Sequence, residues 1–119
     1  MIKKYLNKIT CGDSLELLKD IPDNSIDLTF ADPPFNLKKQ YSKYEDNKEL
    51  NEYLLWCEKW ITEMVRITKP TGSICVHNIP MWLTYFSGFL NKQAYFRHWI
   101  SWDALSKPRG KSLQPAHYG

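Results

Sequence analysis

The longest regular pattern of apolar residues predicts a helix over roughly residues 48–68. Apolar side chains recur there at spacings of three and four, which places them on one face of a helix. The segment Lys69-Pro70-Thr71-Gly72 follows, and its proline and glycine favour the end of a helix. The apolar face comprises Leu50, Tyr53, Leu54, Cys57, Trp60, Ile61, Met64 and Val65. A stripe of this kind is typical of a helix that packs on a hydrophobic core.

Shorter apolar runs predict the other elements. Ile26, Leu28 and Phe30 alternate, so they share one side of an extended strand. The short apolar run over residues 73–76 favours a strand that is covered on both faces. Further predicted elements are strands at 6–11 and 95–102, a short helix from Asp13 and a helix from Pro80 to Leu90. The order strand–helix–strand–helix–strand favours an α/β fold with a mostly parallel sheet and right-handed crossovers.

Composition limits the chain to one folded domain over residues 1–119. Hydrophobic residues at 43% argue against disorder, and a net charge of +3 permits nucleic-acid contact without requiring it. The three cysteines are far apart and no Cys/His spacing suits zinc, so no metal site is expected. The N-terminus lacks the apolar region of a signal peptide, and no apolar stretch is long enough to span a membrane. These features together predict a cytoplasmic protein.

The stretch with the most distinctive chemistry is Asp32-Pro33-Pro34-Phe35, which follows the strand at 26–30. Neither proline can donate to a sheet ladder, so the strand should stop there and leave Asp32 at its carboxyl end. Ligands of open α/β sheets bind at that end. The Asp32 carboxylate and the Pro33 carbonyl can each accept a hydrogen bond, and Phe35 offers a flat ring. Two acceptors beside a ring suit an aromatic primary amine, such as the exocyclic amine of a nucleobase.

With several other segments in the same order, this motif resembles the amino-directed DNA methyltransferases. The likeness is greatest to the permuted group of that family, in which the catalytic motif lies near the N-terminus. The matching segments and positions are Gly12-Asp13-Ser14, Leu18, Pro22 to Leu28, Asp32 to Asn36, Glu52 to Leu54, Trp56, Trp60, Arg66, Lys69 to Ile74 and Trp99 to Asp103. Together they cover nearly the whole chain.

The resemblance implies a partial Rossmann-like methyltransferase fold with a mostly parallel sheet flanked by helices. It implies S-adenosyl-L-methionine as the cofactor and double-stranded DNA as the substrate, within a restriction-modification system. Asp32, Pro33, Pro34 and Phe35 would then be the catalytic residues that hold the amine of a flipped base. An aspartate rather than a serine at the first position of the motif favours adenine over cytosine.

Asp13 has two interpretations. By resemblance, Asp13 would lie near the adenine end of the cofactor and Asp32 near its sulfonium. From the residues alone, Asp13 is a helix N-cap, because Asp followed three residues later by Glu16 fits a capping box. Both interpretations stay open at the level of sequence.

The polar loop predicted over residues 36–47 also has two interpretations. It can be a solvated connection, as such loops usually are. Alternatively, its lysines can bind phosphates and its tyrosines can stack on bases, because it follows the catalytic motif directly. The candidate DNA-binding residues are Lys38, Lys39, Tyr41 and Tyr44.

One part of the family pattern is missing from this sequence. The family holds its cofactor with an aromatic-Gly-x-Gly type of turn, and no two of the five glycines here are close enough to form it. We therefore interpret the chain as the N-terminal catalytic half of the domain, expected to be inactive alone. The strand before Asp32 would then have an exposed edge, which invites pairing with another chain. The alternative function is an inactive fragment, or a subunit that needs a second polypeptide for cofactor binding.

Overall fold

The computed structural model describes residues 2–36, 39–41, 44–46 and 49–103. Its regular elements are α1 (Ser14–Leu17), β1 (Ile26–Ala31), β2 (Lys39–Tyr41), β3 (Tyr44–Asp46), α2 (Leu50–Ile67), β4 (Thr68–Val76) and α3 (Pro80–Leu90). Two 3₁₀ helices, Ile2–Tyr5 and Leu18–Asp20, complete the list. The predicted helices at 48–68 and 80–90 are therefore confirmed, the first with ends moved inward by one or two residues.

The hydrophobic core lies between α2 and α3. Most of the predicted apolar face of α2 is buried, because its residues meet the aromatic side chains of α3. Leu50, in the first turn, is the exception and is 46% exposed. The buried residues of this cluster are Tyr53, Cys57, Trp60, Ile61, Met64, Trp82 and Phe86. Burial raises the pKa of the Cys57 thiol to about 12, so the side chain is an inert core residue in the folded chain.

β1 and β4 form a two-stranded parallel sheet. This arrangement confirms the α/β prediction, because α2 connects two adjacent parallel strands. The register jumps from Ile26–Thr68 to Leu28–Ser73, so β4 has a bulge opposite Asp27. The Lys69-to-Gly72 segment lies in that bulge instead of ending the helix. A Cβ on Gly72 would come within 2.6 Å of the carbonyl oxygen of Asp27, so only glycine allows this close approach.

The two faces of this sheet differ. Ala31, Ile74 and Val76 pack against the core between α2 and α3. Leu28 and Phe30 point to the opposite face, since side chains alternate along a strand, and they are 60% and 65% exposed. The prediction that Ile26, Leu28 and Phe30 share one side holds, but that side is open among the described residues.

Three predicted features differ from the structure. Residues 6–11 and 95–102 are irregular, not strands, and side chains such as Ile9 and Tyr95 are exposed. An extended segment becomes a strand only by pairing with a neighbour, and the described part of the chain provides none for either segment. The predicted polar loop contains a short antiparallel hairpin of β2 and β3, with Tyr41 paired to Tyr44.

None of the described helices is long and apolar enough to cross a membrane.

Candidate active site

The candidate site lies at the carboxyl ends of β1 and β4. β1 ends at Ala31, whose carbonyl oxygen accepts a hydrogen bond of 2.8 Å from the backbone N–H of His77. β4 ends at Val76, one residue before His77. Because the strands are parallel, their carboxyl ends meet, and Asp32 and His77 leave the sheet side by side. The predicted position of Asp32 at the carboxyl end of a strand is therefore confirmed.

The backbone after Asp32 is held by two aromatic side chains of the core. The carbonyl oxygen of Pro34 accepts a hydrogen bond from the hydroxyl of Tyr53 on α2. The carbonyl oxygen of Phe35 accepts one of 2.6 Å from Nε1 of Trp82 on α3. Both donors are buried, so the path of the loop is tied to the packing between the two helices. We call Tyr53 and Trp82 the aromatic clamp.

The backbone carbonyl groups of the motif differ in whether they already accept a hydrogen bond. The carbonyl groups of Pro34 and Phe35 are occupied by the clamp, whereas the described residues place no hydrogen-bond donor on the Pro33 carbonyl. Asp32 is exposed, and Pro33, Pro34 and Phe35 are half-buried. Asn36 then turns the chain with a φ of 56°, a left-handed conformation that asparagine tolerates better than most residues. Asp32, the Pro33 carbonyl and the Phe35 ring therefore sit on one short, fixed segment.

His77, which is not among the site residues predicted above, contacts the motif. Its Nδ1 lies 2.9 Å from Oδ1 of Asp32. Its ring centroid lies 5.7 Å from that of Phe35, with the ring planes tilted by 54°. The sequence signal that could have pointed here is the position of His77 just after the last apolar residue of β4. The contact itself depends on the pairing of β1 with β4, because Asp32 and His77 are 45 residues apart in the sequence.

Asp13 forms the N-cap of α1. Its Oδ1 accepts a hydrogen bond of 2.9 Å from the backbone N–H of Leu15. The predicted cap is therefore confirmed, and no hydrogen bond among the described residues joins Asp13 to the motif. The role in cofactor binding stays a prediction.

The candidate DNA-binding residues lie just after the motif. Lys39 and Tyr41 are at the two ends of β2, and Tyr44 begins β3. The hairpin places Tyr41 opposite Tyr44 and Lys39 opposite Asp46. Lys38 lies outside the described residues.

The described residues do not fit the whole of S-adenosylmethionine. A Cβ on Gly12 would lie 3.0 Å from Cδ1 of Leu17, and the space at Gly72 is filled by β1 backbone. The third described glycine, Gly88, lies inside α3. The three described glycines lie far apart in the chain, so they form no Gly-x-Gly turn, and the acidic candidates Asp13 and Asp32 are both exposed. The motif presents hydrogen-bond acceptors beside a ring, and the described residues alone do not enclose the cofactor.

A family model described as DNA methylase matches residues 26–118, which include the motif, the aromatic clamp and His77 but not Asp13. The chain belongs to the DNA methylase family. Its relatives include a type II methyltransferase of Bacillus amyloliquefaciens, M.BamHI, which is 46% identical over 98% of this chain. Another is M.HpaI of Haemophilus parainfluenzae, which is 35% identical over 92% of this chain.

The alignments cover only part of these DNA methylases. The chain spans 29% of the length of M.BamHI and 36% of the length of M.HpaI. A solved structure named PvuII DNA methyltransferase (cytosine-N4-specific) aligns with 57% of this chain and 23% of its own, at 40% identity and a TM-score of 0.45.

Proposed function

We propose that this chain is the catalytic part of a DNA methyltransferase that methylates the exocyclic amine of a flipped base. S-adenosylmethionine is the methyl donor of the proposed reaction and supplies an electrophilic methyl group. The observation that carries the proposal is the fixed segment at the end of β1. It combines two acceptors, Oδ2 of Asp32 and the Pro33 carbonyl, with the ring of Phe35, and the aromatic clamp holds its backbone.

The proposed chemistry follows from those acceptors. One N–H of the amine donates to Asp32 and the other donates to the Pro33 carbonyl. The two bonds draw the nitrogen toward tetrahedral geometry and free the lone pair that the aromatic ring otherwise withdraws. They also stabilise the positive charge that develops on nitrogen during methyl transfer. The Phe35 ring stacks on the base, a contact that is worth about 1–3 kcal/mol per base in proteins that bind single strands.

We propose adenine as the target base in preference to cytosine. The support is Asp32 at the first motif position, which the family resemblance associates with adenine. The relatives are named type II methyltransferases, which supports a place in a restriction-modification system. Lys38, Lys39, Tyr41 and Tyr44 are proposed to contact DNA, because they follow the motif directly in the sequence.

A second candidate function is a subunit that works only with a second polypeptide. Two observations favour it: the open apolar face at Leu28 and Phe30, and the absence of a cofactor-binding glycine turn among the described residues. In this proposal the second polypeptide supplies the cofactor site and covers the free edge of β1.

The test is methyl transfer from labelled S-adenosylmethionine to unmethylated DNA. The assay uses the chain alone and a fusion in which this chain replaces the aligned segment of M.BamHI. Asp32→Ala should lower incorporation at least about 100-fold, because it removes a preorganised group that stabilises the transition state. Asp27→Ala is the matched control: Asp27 lies on β1, five residues before Asp32, is exposed, and among the described residues its side chain pairs with Lys69 at 3.0 Å. Equal activity of the two variants would overturn the proposal.

The same assay separates the two candidate functions. Activity of the chain mixed with the rest of M.BamHI as a separate polypeptide would favour the subunit, whereas activity only in the fusion would favour the catalytic part of one longer chain. Activity in the chain alone would contradict both candidates.

A further inference from the structure

His77 is the side chain that touches the motif carboxylate from the neighbouring strand. We infer that His77 is a positioning residue that orients Asp32 toward the amine, an inference that rests on the proposed function. The backbone of His77 is fixed, because its N–H donates a hydrogen bond to the carbonyl oxygen of Ala31, the residue before Asp32. The two side chains are therefore anchored to one hydrogen-bonded pair of strand ends.

The direction of the hydrogen bond fixes the tautomer of His77. A carboxylate oxygen only accepts, so Nδ1, 2.9 Å from Oδ1 of Asp32, carries the proton and donates. In the neutral ring, the lone pair is then on Nε2. The identity of the protonated nitrogen in a histidine is set by the hydrogen bonds that the ring makes, so Asp32 imposes this tautomer.

Asp32 needs such a restraint because it is exposed. Its side chain retains 59% of its accessible surface and that of His77 retains 42%, so solvent reaches both groups. A carboxylate without a partner would turn freely and present either oxygen in many orientations. With Oδ1 held by Nδ1, Oδ2 is the oxygen left for the amine, and its direction relative to the Pro33 carbonyl is fixed. Preorganisation of this kind reduces the barrier to reaction.

The His77 ring contacts two other aromatic rings. The centroid of Phe35 lies 5.7 Å away on the motif, and that of Trp102 lies 6.1 Å away in the later irregular segment. Both ring pairs are tilted, by 54° and 57°, at centroid distances within the range that aromatic pairs favour. The orientation of Nδ1 is thus set by the backbone on one side and by ring packing on the other.

Two conservative substitutions distinguish positioning from simple packing. The amide nitrogen of asparagine is as many bonds from Cα as Nδ1 of histidine, whereas that of glutamine matches Nε2. His77→Asn should therefore keep the donor to Asp32, while His77→Gln should misplace it. His77→Leu fills the space without any donor. A packing role predicts that Gln and Leu do as well as Asn; a positioning role predicts that only Asn succeeds.

The first test needs no catalysis. Nitrogen-15 NMR of the whole chain, at alkaline pH where imidazoles are neutral, should show His77 protonated at Nδ1. Asp32→Ala removes the acceptor, and His77 should then lose that tautomer while His98, outside the site, does not change. A wild-type His77 protonated at Nε2, or a tautomer that Asp32→Ala leaves unchanged, would overturn the inference.

The second test is methyl transfer in the assay above. His77→Leu and His77→Gln should each lower kcat by about 10–100-fold, with KM for DNA within about twofold of the wild type. His77→Asn should retain kcat within about threefold. Wild-type kcat in His77→Leu, with Asp32→Ala inactive, would overturn the inference and leave the proposed function standing. An active Asp32→Ala would overturn the proposed function itself.

Discussion

The two faces of the β1–β4 sheet are built from similar residues but have different environments. On the covered face, Ala31, Ile74 and Val76 pack against a core whose central side chains are fully buried. On the open face, Leu28 and Phe30 are apolar and more than half exposed. Apolar content alone therefore does not decide burial; the helices that the connections place on one face decide it.

The difference also separates two roles. The covered face positions the site, because Tyr53 and Trp82 reach from the core to the backbone of the motif. The open face makes no such contribution among the described residues. Disturbing the covered face should therefore affect both stability and the motif, whereas disturbing the open face should affect mainly association.

The largest effect on stability is expected from truncating a side chain in the core on the covered face. Ile61→Ala, at a fully buried position on α2, should lower the free energy of unfolding by about 2–4 kcal/mol, since it removes buried methyl groups and leaves a cavity. Leu55→Ala on the same helix, where the side chain is 62% exposed, should change it by less than about 0.5 kcal/mol. Urea unfolding followed by tryptophan fluorescence measures both. Equal losses in the two variants would mean that the core is not where the structure has it.

A smaller effect is expected from releasing the aromatic clamp. Tyr53→Phe keeps the buried ring but removes the hydroxyl that donates to Pro34, which leaves that carbonyl without its partner. The expected loss is about 1–2 kcal/mol in urea unfolding, together with faster amide exchange after the motif. Tyr85→Phe, at an exposed position on α3, is the control and should behave as the wild type. Unchanged amide exchange in Tyr53→Phe would show that the hydroxyl does not hold the loop.

The smallest effect on stability is expected on the open face. Replacing Leu28 and Phe30 together by glutamine should shift the free energy of unfolding by no more than about 0.5 kcal/mol, because neither side chain is buried. It should, however, reduce self-association of the chain, since it removes an exposed apolar patch beside a free strand edge. Light scattering over a range of protein concentrations measures this. A large loss of stability without any change in association would mean that this face is covered in solution.

The elements with strong periodicity were predictable from the sequence. The spacing of apolar residues in α2 and the alternation in β1 are local signals, and Pro33-Pro34 marks the end of β1 directly. The position of Asp32 follows from these local features alone. The strands predicted at 6–11 and 95–102 were wrong because alternation shows only that a segment can pair. It cannot show that a partner strand is present.

The contacts that complete the site could not be predicted from local sequence patterns. Tyr53 and Pro34 are 19 residues apart, and Trp82 and Phe35 are 47 apart. In the sequence, both aromatic residues were indistinguishable from other members of apolar stripes. The His77–Asp32 bond likewise depends on the register of β1 against β4, which includes a bulge that no local pattern marks. Long-range register and side-chain direction are properties of the packed fold.

The central claim is that Asp32 and its clamped loop hold an exocyclic amine for methylation. The most direct measurement is mass spectrometry of nucleosides from DNA treated with S-adenosylmethionine and the M.BamHI fusion that carries this chain. We predict N6-methyladenine as the product, and its loss in Asp32→Ala but not in Asp27→Ala. A methyl group on a ring carbon, no methylated base at all, or a yield that does not depend on Asp32 would contradict the account.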